Sequence, residues 1–226
     1  MEDNYYINLN NYSLSSYAKE LEHAELLPSR KIIQENTKER FFRLNKEGIK
    51  NLNDVITVLK SKDQVKAFAK KSGIPEEFLI ILVREIKSFQ PKPVKLNDLP
   101  AISKTTIKKL ETTGIKTTKE LFKFVTTEKS RKELSSKTSV NLKEILELTK
   151  LTDVCRIKWV GANFARVLVD SSYNTVKKVA KADYKKLYEE INKINEEKRY
   201  YKGKIGLNDM KLCVLAAKSV PDAIKY

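Results

Sequence analysis

Leu110-Glu111-Thr112-Thr113-Gly114-Ile115-Lys116-Thr117, with Leu121 four residues on, is the stretch on which the fold turns. A helix ends at the threonines, and Gly114 takes the left-handed position after it, which glycine adopts without steric cost. Ile115 plugs the corner with apolar surface. Thr117 then caps the next helix, and Glu120 stands three residues later, at capping-box spacing. The same phrase occurs earlier as Leu44, Gly48, Ile49 and Asn51, followed by Val55. It returns more loosely as Leu168, Ser172, Tyr173 and Thr175, followed by Val179. Ser172 replaces glycine there, so that corner is either strained or built differently. A phrase that returns this way reads as an internal repeat of helix–turn–helix corners.

The first two copies keep a constant offset of 66 residues over core-type positions: Gly48, Val55, Phe68, Ile74 and Leu82 match Gly114, Leu121, Leu134, Val140 and Leu148. Apolar residues recur at helical spacing through Leu14–Leu21, Phe41–Leu44 and Phe78–Ile86, and no stretch alternates with period two long enough for a strand. The fold class predicted is all-α. Gln90-Pro91-Lys92-Pro93 reads as a semi-rigid linker. The expected organisation is an irregular arm over 1–12, a first bundle over 13–90, a second unit over 91–150, and a third over 151–226 packed with the second. Asp183 is expected to cap a helix, and a last helix is expected over about 208–219.

The 226 residues are 41% hydrophobic, enough for a real core, and carry a net charge of +16. Residues 1–26 are acidic, with net −4, while the segments 27–90, 91–150 and 151–226 carry +6, +7 and +7. A positive field spread over folded units attracts polyanions, nucleic acid first. A lysine-rich solvated surface is the plain alternative, since Lys outnumbers Arg 37 to 8. The longest apolar run, Phe78–Val83, is far too short to span a bilayer, so no membrane association is expected. Met1-Glu2-Asp3-Asn4-Tyr5-Tyr6 lacks the basic and apolar regions of a signal peptide, and a cytoplasmic location is expected. Cys155 and Cys213 have no CxxC spacing and read as free thiols.

Residues Ile157 to Thr175 resemble the helix-hairpin-helix motif. Ile157, Val160, Gly161, Ala165 and Leu168 stand at that family's hairpin and helix positions, and Trp159 stands where its first hairpin glycine is expected. Leu99-Pro100-Ala101-Ile102-Ser103 is a second hairpin of the same type, with Ala101 and Ser103 in place of both glycines, and Leu27-Pro28 reads as the remnant of a third. The order and spacing from about residue 14 to 220 also resemble an uncharacterised tandem family that bears the label domain of unknown function 4332. The resemblance implies helix-hairpin-helix, or SAM-like, bundles in three pseudo-repeats. It further implies that hairpin backbone N–H groups grip DNA phosphates at a helix N-terminus, helped by nearby cations. The residues expected at such a site are Lys158, Trp159, Val160, Gly161, Ala162, Asn163 and Arg166. The second hairpin offers Ala101, Ile102, Ser103, Lys104 and Lys108. A basic aromatic loop adds Lys198, Arg199, Lys202 and Lys204, with Tyr200 and Tyr201 as stacking platforms or as inward packing. Trp159 reads either as a base-stacking residue or as an apolar plug.

Enzyme signatures are sparse. His23 is the single histidine, and no P-loop, GxGxxG, HExxH or nucleophile elbow is present. DNA glycosylases carry a catalytic aspartate after a Gly/Pro stretch; Asp170 follows Gly161 by nine residues with no such stretch. The function expected is non-catalytic, sequence-independent binding of DNA, duplex or branched, with neither cofactor nor metal. The alternative is a protein–protein adaptor on the same scaffold.

Overall fold

The computed structural model describes residues 4–226, and every regular element among them is helical. The chain divides into two compact units, with the break in sequence between Gln90 and Pro91. One is Ile7–Gln90; the other is Pro91–Tyr226 together with residues 4–6. Of the arm read over 1–12, residues 1–3 lie outside the described residues.

The amino-terminal unit runs α1 (Leu14–His23), a 3-10 helix (Pro28–Gln34), α2 (Thr37–Lys46), α3 (Leu52–Val58), α4 (Lys62–Ser72) and α5 (Glu76–Lys87). Leu14, Leu21, Ile33, Phe41, Leu44 and Phe78 fill its core. Pro28 opens a 3-10 helix, as its missing N–H permits. The segment 66 residues before the second hairpin is Ile33–Thr37 rather than Leu27–Pro28, and its left-handed residue is Asn36, at φ 49°.

The carboxy-terminal unit runs a 3-10 turn (Leu96–Asp98), α6 (Lys104–Glu111), α7 (Thr118–Phe122), α8 (Glu128–Thr138), α9 (Leu142–Val154), α10 (Ala162–Asp170), α11 (Val176–Ala180), α12 (Tyr184–Lys198) and α13 (Leu207–Lys218). The boundary expected between 150 and 151 falls inside α9. Leu148, Leu151 and Val154 run without a break into the core shared with Ile157 and Leu168. A helix with its buried stripe on both sides of a proposed boundary cannot be cut there.

The two glycine corners are built alike. Gly48 and Gly114 lie at φ 91° and 85°. Ile49 donates to the Leu44 carbonyl at 3.2 Å and Ile115 to the Leu110 carbonyl at 3.1 Å, the six-to-one bond of a Schellman end. Asn51 with Asp54, and Thr117 with Glu120, then close capping boxes on α3 and α7. Each corner also pairs with a strand-like bridge, Ser13 with Asn51 and Lys95 with Thr117. The third corner has no left-handed residue and is built differently. The Ser172 N–H and hydroxyl both donate to the Glu190 carboxylate, at 2.6 and 2.7 Å, and the Ser171 hydroxyl oxygen accepts the Tyr173 N–H. A carboxylate from α12 holds this corner, with no left-handed residue in it.

A buried ion pair ties the ends of this unit together. Arg156 Nη1 donates to Asp153 Oδ1 at 2.8 Å, Nε to the Tyr5 carbonyl at 3.0 Å, and Nη2 to the carbonyls of Asn4 and Pro221. Asp153 Oδ2 accepts the Val176 N–H and the Tyr226 hydroxyl, each at 3.0 Å. Burial pushes the Asp153 carboxyl above its ordinary range, against the pull of Arg156. Tyr5 packs edge-on against Phe122 and hydrogen-bonds Thr118.

Candidate nucleic-acid interface

Both hairpins carry a left-handed residue at the same place. Trp159 lies at φ 70° and Ala101 at φ 59°, each two residues before the residue that precedes a helix. Neither is a glycine, so each backbone is held against its own preference by what surrounds it. The anchors are apolar: Ile157 and Val160 are buried beside Trp159, and Leu99 is buried before Ala101, while Ile102 is half-buried. The Val160 N–H closes the first turn on the Ile157 carbonyl at 3.1 Å.

Each hairpin delivers an uncapped helix. Gly161 precedes α10 and Ser103 precedes α6, and no side chain caps either. The first helical bonds come only at Ala165 to Gly161 and Ile107 to Ser103. The N–H groups ahead of them, Ala162 and Asn163 on α10 and Lys104 on α6, form the partly positive end of each helix. Gly161 itself has an ordinary φ of −91°, and a Cβ there would meet nothing within 4 Å. Its bareness leaves room for a ligand; the fold does not demand it.

The basic loop lies next to α10 and is anchored at several points. Tyr201 packs edge-to-face on Phe164, in the first turn of α10, with ring centroids 5.6 Å apart. The Asn195 amide clamps the Tyr201 backbone from both sides, at 2.8 and 2.9 Å. At Gly203 a Cβ would stand 2.7 Å from the Tyr201 ring, so any other residue there would push that ring aside. Ile205 is buried and pins the far end, and Tyr200 packs inward on the core. Lys198, Arg199, Lys202 and Lys204 are left exposed between these anchors. Neither Asn195 nor Phe164 carried a readable signal in the sequence; a loop contact to another helix has no local period.

Two expected cations are placed otherwise than expected. Arg166 is buried, with ion pairs to Glu147 on α9 and Asp170 one turn along α10. It points inward because it sits on the packed face of α10 between Ala165 and Val167, so it holds helices together and offers phosphate no charge. Lys158 is 9% exposed, with Nζ 4.3 Å from the Trp159 ring centroid, a cation–π contact. Trp159 is 42% exposed, which rules out the apolar plug. On the second hairpin Ala101, Ser103, Lys104 and Lys108 are exposed, while Lys109 donates to the Ser139 carbonyl at 2.7 Å.

Among the described residues no group of His, Cys, Asp or Glu is arranged to hold a metal ion, and no helix is long and apolar enough to cross a membrane. Burial pushes the Cys155 and Cys213 thiols up to about 12. No curated protein and no solved structure matches the chain. Residues 100–220, just over half of the 226, match a family model, and the matched span takes in Ala101, Gly161 and the loop up to Gly206. The chain therefore belongs to the family described as domain of unknown function (DUF4332).

Proposed function

We propose that the carboxy-terminal unit is a non-catalytic module that binds DNA, duplex or branched, without regard to sequence, through its phosphates. In this reading the scaffold is a tandem array of helix-hairpin-helix, or SAM-like, bundles with three pseudo-repeats. The observation that carries it is the pair of hairpins with a left-handed residue at the same place, each opening an uncapped helix beside exposed lysines. A phosphate oxygen set against Gly161, Ala162 and Asn163 would accept backbone N–H bonds on the helix axis, where the dipole favours an anion. Ala101, Ser103 and Lys104 would do the same on α6. Lys202, Lys204, Lys198 and Arg199 would add attraction that does not read sequence and weakens with salt.

The rival reading, an adaptor that contacts protein, draws on Arg166, whose charge is spent inside the fold. One comparison separates the two. Lys202→Glu/Lys204→Glu is expected to weaken duplex binding at least about tenfold, as loss of two phosphate contacts and two added repulsions requires. Lys185→Glu/Lys186→Glu makes the same charge change at the other end of α12, about 20 Å away at 1.5 Å per residue. It should leave most of the affinity. Equal losses in both variants would mean diffuse charge and no interface at the loop.

A further inference from the structure

Away from the hairpins, a groove of 840 Å³ opens along α9, α11 and the chain after α13. Its floor is apolar: Leu142, Leu146, Ala180, Val220 and Ile224. Leu142 and Leu146 are 39% and 36% exposed. They stand one turn apart on α9, whose other face, Ile145, Leu148 and Leu151, is fully buried. So α9 carries two apolar stripes, and only one has a partner within the unit. The rim is basic. Lys150, Lys177, Lys178, Lys181 and Lys218 surround the floor, against the exposed Glu128 and Asp222; the third acid of the lining, Asp153, is buried and paired with Arg156. Glu128 pairs with Lys132 at 2.6 Å and Asp222 with the rim's own Lys177 at 3.7 Å, so Lys150, Lys178, Lys181 and Lys218 make up the excess positive charge.

We propose that this groove docks an acidic amphipathic helix of a partner protein. The occupant follows from the chemistry of floor and rim together. Nucleic acid would use the lysines and leave two leucines wet. A small anion would need neither the length nor the leucines. From Leu142 to Lys150 the stripe is about 12 Å long, two helical turns. A helix with apolar residues at i, i+3, i+4 and i+7 would cover it, with acidic residues on its flanks against the lysines. Charge complementarity sets orientation and on-rate, and apolar burial supplies most of the affinity. This function is separate from phosphate binding at the hairpins and stands or falls without it.

The test uses the full chain and a labelled model peptide of about 18 residues, long enough to hold some helix in water. The peptide carries Leu at i, i+3, i+4 and i+7 and Glu on both flanks; a control replaces every Glu by Lys. The Glu peptide is expected to bind the protein, and the Lys peptide at least about tenfold more weakly, with the gap narrowing at high salt. Leu146→Glu and, separately, Lys177→Glu/Lys181→Glu should each weaken binding of the Glu peptide at least about tenfold. Both alter exposed side chains, and unchanged helicity by circular dichroism shows that they fold. Absence of binding, equal binding of both peptides, or variants that bind like wild type would overturn the proposal. So would vesicles rich in anionic lipid that displace the peptide through the same residues, since the groove would then be a membrane-facing surface.

Discussion

Trp159 is the chain's single tryptophan, and it holds a left-handed backbone that most residues avoid. Glycine adopts φ 70° freely, so Trp159→Gly relaxes the turn while it removes only a half-exposed ring. If backbone amides hold the phosphate, Trp159→Gly should bind duplex DNA as well as wild type or better in an anisotropy titration. A loss beyond about tenfold, roughly 1.4 kcal/mol, would place the affinity in the indole instead. The two cysteines give a second residue-scale outcome. With burial pushing both thiols up to about 12, neither should react with iodoacetamide at pH 8 in the native protein, and both should react in denaturant, as mass spectrometry would read. Free thiols were legible from spacing alone. The burial of Arg166 was not, because its partner Glu147 lies on another helix and sequence periodicity does not report which cation a tertiary carboxylate captures.

At the scale of elements, the glycine corners were the most readable feature, since a left-handed residue and a cap at fixed spacing are local chemistry. The structure adds their cost. Thr117→Ala removes the side-chain acceptor of the α7 capping box and should lower stability by about 1 kcal/mol in urea unfolding. The other half of that box titrates. The Lys116 N–H, with further bonds from Thr117, holds the Glu120 carboxyl below its ordinary value. A depressed carboxylate adds stability above its unfolded pKa and loses it as pH falls through the folded one. Glu120→Gln should therefore be less stable than wild type at pH 7, and the difference should shrink below about pH 4.5. A constant difference across that window would show that the carboxylate charge contributes nothing. The third corner lacked such a signal: Ser172 relies on Glu190, which lies 18 residues away on α12, and nothing at the corner announces a distant carboxylate. The twin left-handed residues of the hairpins were equally hidden, because alanine and tryptophan do not advertise φ above zero.

For the whole molecule, the all-α class was legible from periodicity, and the family match gives the second half a common frame. The tie between chain ends was not, because Arg156 reaches residues about 150 positions away. Removing one partner of such a buried pair typically costs about 3–5 kcal/mol, so Arg156→Ala should lower Tm by roughly 6–20 °C in a chain of this size. A shift of a degree or two would show that the tie contributes little. The central claim, that the hairpins grip phosphate, is tested most directly by salt-titrated fluorescence anisotropy on a labelled duplex of about two to three helical turns, with wild type and Gly161→Glu. Gly161 has an ordinary φ and open space around it, so the variant keeps its fold, and circular dichroism checks this. Wild type is expected to bind with log affinity falling linearly in log salt, at a slope of about −0.9 for each phosphate engaged. Gly161→Glu should lose most of that affinity at unchanged helicity. Wild type that fails to bind even at low salt, or a variant that binds as tightly, would contradict the account.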